Sequence, residues 1–269
     1  MWEAEDVEAS AKRKVAWLVG IVAAAALAAG GWYWYSHREP PAPPAAATPP
    51  PAAPPANAEP QIAHPISAGG EGAALPALND SDQVVHDSLA GVVGREPVEQ
   101  FLEPQNIIRR IVVTVDNLPR KKLAVDRRPV KPTAGQTATA SQGDLVTLSP
   151  ENYARYAPLM KVLEKTDMKA LAVVYERLYP LFQQSYEDLG YPGKYFNDRL
   201  VEVIDHLLQT PEITTPIALT QPKVFYEFAD PDLENRSAGQ KLLLRMGPAN
   251  ERLIKDKLRA FRAEIVKKK

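Results

Sequence analysis

The sequence predicts a mainly α fold: an N-terminal transmembrane helix, a disordered Pro/Ala-rich linker, then one helical domain of about six helices with at most a small β element. Three observations carry this. Val15–Tyr35 is an uncharged, largely apolar run. Pro40–Pro65 is dominated by proline and alanine. From Leu75 onward, apolar residues recur every three or four positions, as on one face of a helix. The implied division is a tail over 1–14, a signal anchor over 15–35, a Pro/Ala/Gly-rich linker over 36–74 and a domain over 75–269. A flexible basic loop interrupts the domain at 120–143.

A helix rises about 1.5 Å per residue, so roughly 20 apolar residues cross a hydrocarbon core of about 30 Å. Val15–Tyr35 has that length. Lys12, Arg13 and Lys14 precede it, and Arg38 alone among nearby cations follows. That bias predicts a cytoplasmic N-terminus and an exported C-terminal part. Trp32, Tyr33, Trp34 and Tyr35 close the far end with amphipathic rings suited to headgroup level. The rival reading is a cleaved signal peptide, with Ala26-Leu27-Ala28 as the processing triplet. The aromatic cluster favours an uncleaved anchor, which makes the lipid bilayer the first partner. Pro40–Pro65 then reads as an extended spacer.

Within the domain, Asn79 or Asp80 is placed to cap a helix carrying Val84, Val85, Leu89, Val92 and Val93. After Pro104, Ile107, Ile108, Ile111, Val112, Val115 and Leu118 fit one helical face, although Ile111–Val115 alone is β-branched enough for a strand. Arg120–Gln142 holds six cations against Asp126 and reads as an exposed loop. Ser149-Pro150-Glu151 starts a helix bearing Tyr153, Tyr156, Ala157, Met160 and Leu163. Asp167 caps the next, Met168–Leu189, which contains Pro180 and stops at Gly190. Phe196, Leu200, Val203, Ile204, Leu207 and Leu208 define another, ended by Thr210-Pro211. Ile217–Leu219 and Val224–Phe228 suggest a small hairpin or extended packing segments. Ser237 and Gln240 have capping-box spacing before Lys241–Met246, and a last helix runs from Pro248 to the basic terminus.

The chain has no cysteine, which removes disulfides, thiolate metal sites and thiol nucleophiles. Its net charge is −1; with the residues flanking the anchor set aside, 28 of the 32 basic and 28 of the 33 acidic residues remain. A neutral exported part argues against nucleic acid as a partner. Of the four histidines, His37 and His64 lie beside the anchor and in the linker, and His86 falls on the outer side of a short helix. On the helix after Phe196, Asp198, Glu202 and His206 are spaced by four and share a face. Two carboxylates and an imidazole are the groups that acid–base work or a divalent metal would use. No H-E-x-x-H signature accompanies them, and an ordinary polar face opposite the Leu200/Val203/Ile204/Leu207 stripe accounts for them equally. No metal site or cofactor is therefore expected.

A nucleophile elbow, an S-x-x-K motif, a P-loop and G-x-G-x-x-G are all missing from the sequence. Ser149, Ser185 and Ser237 have capping or helix-surface explanations. Asp116, Asn117, Glu227, Asp230 and Asp232 sit in segments where turn and cap chemistry suffices. Asn197, Arg199, Glu227, Asp230, Arg236, Gln240, Lys241 and Arg245 cluster near interhelical turns. They form either a packing network or a polar groove for an envelope ligand.

Five stretches carry a family likeness: Leu75–Leu89, Val113–Pro119 (VTVDNLP), Asn152–Pro158 (NYARYAP), Leu178–Leu208 with GYPGKYFNDRLVEVIDHLL, and Pro222–Asn250 with QPKVFYEFADP and SAGQKLLLRMGP. On these the chain resembles the bacterial family catalogued as domain of unknown function 3014. The resemblance implies a single membrane anchor followed by one exported helical domain in a Gram-negative envelope, and it brings no activity. The leading expectation is a non-enzymatic interaction or scaffold domain, tethered to the inner membrane, facing the periplasm and meeting an envelope protein or the cell wall. The alternative is an envelope enzyme, a hydrolase or metal-dependent, using Asp198, Glu202 and His206.

Overall fold

The computed structural model describes residues 62–66 and 74–266. The expected tail, the anchor Val15–Tyr35 with Lys12, Arg13, Lys14 and Trp32–Tyr35, and most of the linker lie outside them. Among the described residues no helix is long and apolar enough to cross a membrane.

The domain is mainly helical, with ten α-helices among the described residues and a four-stranded antiparallel sheet. In chain order these are α1 (Asp82–Val93), α2 (Arg95–Phe101), α3 (Ile107–Asn117), β1 (Thr139–Gln142), β2 (Leu145–Leu148), α4 (Pro150–Ala154), α5 (Ala157–Lys165), α6 (Met168–Asp188), α7 (Phe196–Leu208), β3 (Ala218–Thr220), β4 (Glu227–Phe228), α8 (Pro231–Glu234), α9 (Ala238–Met246) and α10 (Pro248–Ile265). Ten replaces the expected six for a physical reason. The stripe read as one helix from Ser149 is two, because Pro158, lacking an N–H, belongs in the first turn of α5. Pro97 and Pro231 likewise sit in the first turns of α2 and α8.

The segment after Pro104 is helical, its β-branched residues notwithstanding. Ile107, Ile108 and Val112 are almost wholly buried, so tertiary packing outweighs strand propensity there. Its N-terminus is capped from afar: the Asp82 carboxylate, on α1, accepts from the Asn106 and Ile107 amides at 2.7 and 2.8 Å. The expected cap of α1 by Asn79 or Asp80 is replaced. Ser81 occupies that position and donates its hydroxyl to the Leu78 carbonyl, while Asn79 accepts from Arg109. Asp167 and Ser237 cap α6 and α9 as their positions predict.

The main core joins α1, α3, α6, α7 and the end of α10, with Tyr175, Phe182, Tyr186 and Phe196 packed ring against ring. A second core lies between the sheet and the α8–α9 region, built on Leu148, Leu219, Phe228, Leu233 and Leu244. The strands run β1-β2-β3-β4. The β3–β4 hairpin answers the expected pair of apolar runs, but Val224 and Phe225 stand exposed at its turn (78 % and 81 %) rather than in the core. The β1–β2 hairpin comes from the stretch read as loop. Gly143 begins its two-residue link with φ +60°, as a II′ turn needs. The rest of 120–143 is tied down in several places. Lys131 donates to the Phe101 and Glu99 carbonyls, and Lys121 donates to the Asn235 carbonyl.

Glu251 and Lys255 form a nearly inaccessible pair in α10, 2.7 Å apart. Lys255 also donates to the Thr210 carbonyl, just past α7. Burial raises the Glu251 carboxyl above its ordinary value, with Lys255 working against that rise.

Candidate functional site

The polar residues predicted from sequence fall into two groups. The first surrounds a cleft of about 410 Å³ beside the N-terminal half of α7, lined by Asp116, Tyr186, Tyr191, Asp198, Arg199 and Glu202 among others. No side chain of the N-cap residue Tyr195 closes this helix start. The orphan donors turn to α6 instead: the Phe196 amide donates to Gln183 Oε1 at 2.9 Å and the Asn197 amide to the Tyr179 hydroxyl at 3.4 Å.

Asn197 is fully buried and satisfied from three directions. Its Oδ1 accepts from the Tyr175 hydroxyl, and its Nδ2 donates to the carbonyls of His64 and Ile265. Burial raises both Tyr175 and Tyr179 well above the ordinary phenol value, so they stay protonated donors. Asp198 points the other way along the surface and accepts two amides from the chain segment at 63–64.

Asp116, in the last turn of α3 and 2 % exposed, lines the cleft and gathers its charges. Arg199 reaches its Oδ1 at 3.1–3.2 Å and its main-chain carbonyl at 3.0 Å. Arg120 reaches its Oδ2 at 2.5 Å, and the Tyr191 hydroxyl donates to the same oxygen at 3.2 Å. Arg199 also pairs with Glu202 at 2.9 Å. Burial disfavours the Arg199 charge, but Glu202 and Asp116 more than compensate and hold the guanidinium above its ordinary value. Asp116 is expected from sequence in a connecting segment, serving turn and cap chemistry. It is a helical residue at the middle of a charge cluster, and the clue was a lone Asp between two apolar helical positions, Val115 and Leu118.

His206 does not join Asp198 and Glu202 in the cleft. Its Nε2 lies 2.8 Å from Ser237 Oγ, and its carbonyl accepts from Gln240 Nε2, which ties the end of α7 to the start of α9. Partial burial lowers its pKa, with Glu202 opposing and Arg199 reinforcing the shift. The three residues thus engage three separate partners. Among the described residues no group of three or more His, Asp or Glu side chains could hold a metal ion.

The second group lies around β4, α8 and α9. Glu234 accepts from Lys241 at 2.5 Å and from the Phe228 amide at 2.9 Å. Burial pushes the Glu234 carboxyl up, but the Lys241 and Phe228 hydrogen bonds leave it below its ordinary value. Arg245 donates to the Tyr226 carbonyl and lies 4.8 Å above the Phe228 ring. Asp230 caps α8 through the Asp232 amide. Arg236, Gln240 and Glu227 flank these contacts, and the Arg236 Nε is buried without a hydrogen-bond partner. The predicted polar residues therefore mostly lock packing here, while those at the start of α7 frame a cleft.

A family model described as protein of unknown function (DUF3014) matches residues 107–262, from the first residue of α3 to the last turn of α10. Leu75–Leu89, one of the stretches that carried the likeness in sequence, lies before that match. No curated protein and no solved structure matches the chain.

Proposed function

We infer the role of this chain, which belongs to the DUF3014 family, from the segment that precedes its domain. It is a membrane-tethered interaction or scaffold module. Val15–Tyr35 anchors it in the inner membrane of a Gram-negative cell, the Pro/Ala-rich stretch holds it off the surface, and the helical domain faces the periplasm. The carrying observation is the uncharged run Val15–Tyr35, with Lys12, Arg13 and Lys14 before it and Trp32–Tyr35 at its end. The partner is an envelope protein or the cell wall.

The envelope-hydrolase alternative draws less support. Asp198, Glu202 and His206 are directed at the chain segment at 63–64, Arg199 and Ser237 respectively, so they do not converge on one reacting position. The test of the tether is a reporter fused to the C-terminus together with N-terminal sequencing of the mature protein. Periplasmic reporter activity and an intact N-terminus are expected. Cytoplasmic activity, or a new N-terminus near Ala29, overturns the topology or the anchor.

A further inference from the structure

Ile62–Ile66 crosses the start of α7 and is gripped there through its main chain. Ala63 and His64 donate successive amides to Oδ2 and Oδ1 of Asp198 at 3.0 and 2.7 Å. The His64 carbonyl accepts from Asn197 at 2.9 Å. The Tyr195 hydroxyl accepts the Ile66 amide at 2.8 Å and faces the Ile66 carbonyl at 3.1 Å. Pro65, between these contacts, brings no N–H that would need a partner. Ile62 lines the cleft, and Ile66 packs on the main core. Side chains of three residues in one four-residue stretch, Tyr195, Asn197 and Asp198, thus read the main chain of this segment. It bends at Ala63 and His64 and so turns both amides to one carboxylate, with an apolar side chain placed at either end. Peptide-recognition sites divide the work the same way: main-chain hydrogen bonds hold the peptide and pockets select its side chains.

The receiving surface is independent of its occupant. Asn197 is fixed by Tyr175 and by the Ile265 carbonyl, and the Tyr195 ring packs 5.2 Å from Tyr179. The occupant is lightly held. Ile62, Ala63 and Pro65 are exposed, so water competes for the hydrogen bonds that hold them. Residues 67–73, which join it to the domain, include three glycines.

We propose that the start of α7 is a peptide-binding site, and that Ile62–Ile66 occupies it as a displaceable strap. The ligand class is a peptide that bends to turn two successive free amides to one carboxylate, followed by a proline and an apolar residue. This rests on the interaction-module reading and names the surface that does the binding. Because the strap is attached, it competes at an effective concentration in the millimolar range, which masks the site from weaker peptides.

The experiment uses the full chain in detergent. Ala63→Pro with His64→Pro removes both amides that Asp198 accepts and leaves the receiving surface unchanged. A fluorescein-labelled peptide of residues Glu59–Ala68 is titrated by anisotropy onto the wild type, the double variant, and the double variant carrying Asp198→Ala. The peptide binds the double variant at least ten-fold more tightly than the wild type, and Asp198→Ala removes that gain; far-ultraviolet circular dichroism checks that all three are folded. Equal binding to the first two, a gain that survives Asp198→Ala, or no binding to any form overturns the site. The reporter fusion measures topology separately, so either reading fails without the other. A chain that captures envelope proteins yet ignores the peptide keeps the module reading and loses this site.

Discussion

Replacing Asp116 with alanine tests whether the charge cluster beside α7 holds the domain together. The carboxylate is 2 % exposed and meets Arg199, Arg120 and Tyr191. The side chain of Arg199 is 19 % exposed and that of Arg120 is 52 % exposed, so the two pairs are unequal. A charge-assisted hydrogen bond in a shielded place contributes about 1.5–3 kcal/mol, whereas an exposed pair contributes about 0–1 kcal/mol. Arg199 keeps Glu202 and the Asp116 carbonyl after the change, which limits the penalty of stranding its charge. The expected loss is about 2–4 kcal/mol, below the roughly 3–5 kcal/mol of a fully stranded buried charge. For a domain of this size that is a fall of roughly 5–12 °C in Tm. Urea and thermal unfolding followed by circular dichroism measure it, and double-mutant cycles with Arg199→Met and Arg120→Met apportion it. Coupling to Arg199 exceeds coupling to Arg120 by about 1 kcal/mol on the same exposures. A loss under about 1 kcal/mol, or the larger coupling to Arg120, refutes the reasoning.

Three further substitutions probe backbone strain, a buried charge and a titrating imidazole. Gly247 and Gly94 share φ near +90° with extended ψ, a region costing other residues about 1–3 kcal/mol; a Cβ at Gly247 would also lie 2.5 Å from the Tyr153 ring, against 3.5 Å to Pro97 at Gly94. Gly247→Ala therefore destabilises more than Gly94→Ala in urea unfolding, and parity would remove the clash from the account. Lys255→Met strands a buried Glu251 and costs about 3–5 kcal/mol, while Glu251→Leu with Lys255→Met restores most of it; a double variant as unstable as the single one contradicts this. The pKa of His206 is lower in the folded chain, so its contribution is present above the unfolded value near 6.5 and is lost as pH falls from there through the folded value. His206→Gln flattens that acid-side decline of the urea midpoint, and an unchanged profile would assign the decline to other groups.

The helices were legible because their cores repeat at helical spacing and their caps are local. Asp167 and Ser237 are examples, each satisfying an amide two or three residues on. Three things were not legible. The Asp82 carboxylate closes a helix that begins twenty-five residues later, and nothing local distinguishes it from a first-turn acid of its own helix. Asp198, Glu202 and His206 share a face, but a shared face does not tell which neighbouring element each side chain meets. Here α7 meets the 62–66 segment at one end and α9 at the other. The strap itself looked like the end of a spacer, because its contacts are main-chain amides that no side-chain pattern announces.

The order of the strands sets an order of events. β1 and β2 pair across a two-residue link, and β3 and β4 pair across a short turn, so each hairpin closes cheaply. The seam between them joins Val146 to Leu219 and Thr147 to Ala218, and α4 to α7 intervene in the chain. Loop-closure entropy makes that seam costly until those helices have packed and brought its two sides together. The sheet is thereby a late closure in folding: weakening Val146 or Leu219 should quicken unfolding far more than it slows folding. Chains arrested before that step would leave the seam edges of β2 and β3 unpaired. The outer strand β1, Thr139–Gln142, is an edge in the finished sheet too and, with Thr139, Ser141 and Gln142, is a poor template for another chain to pair with.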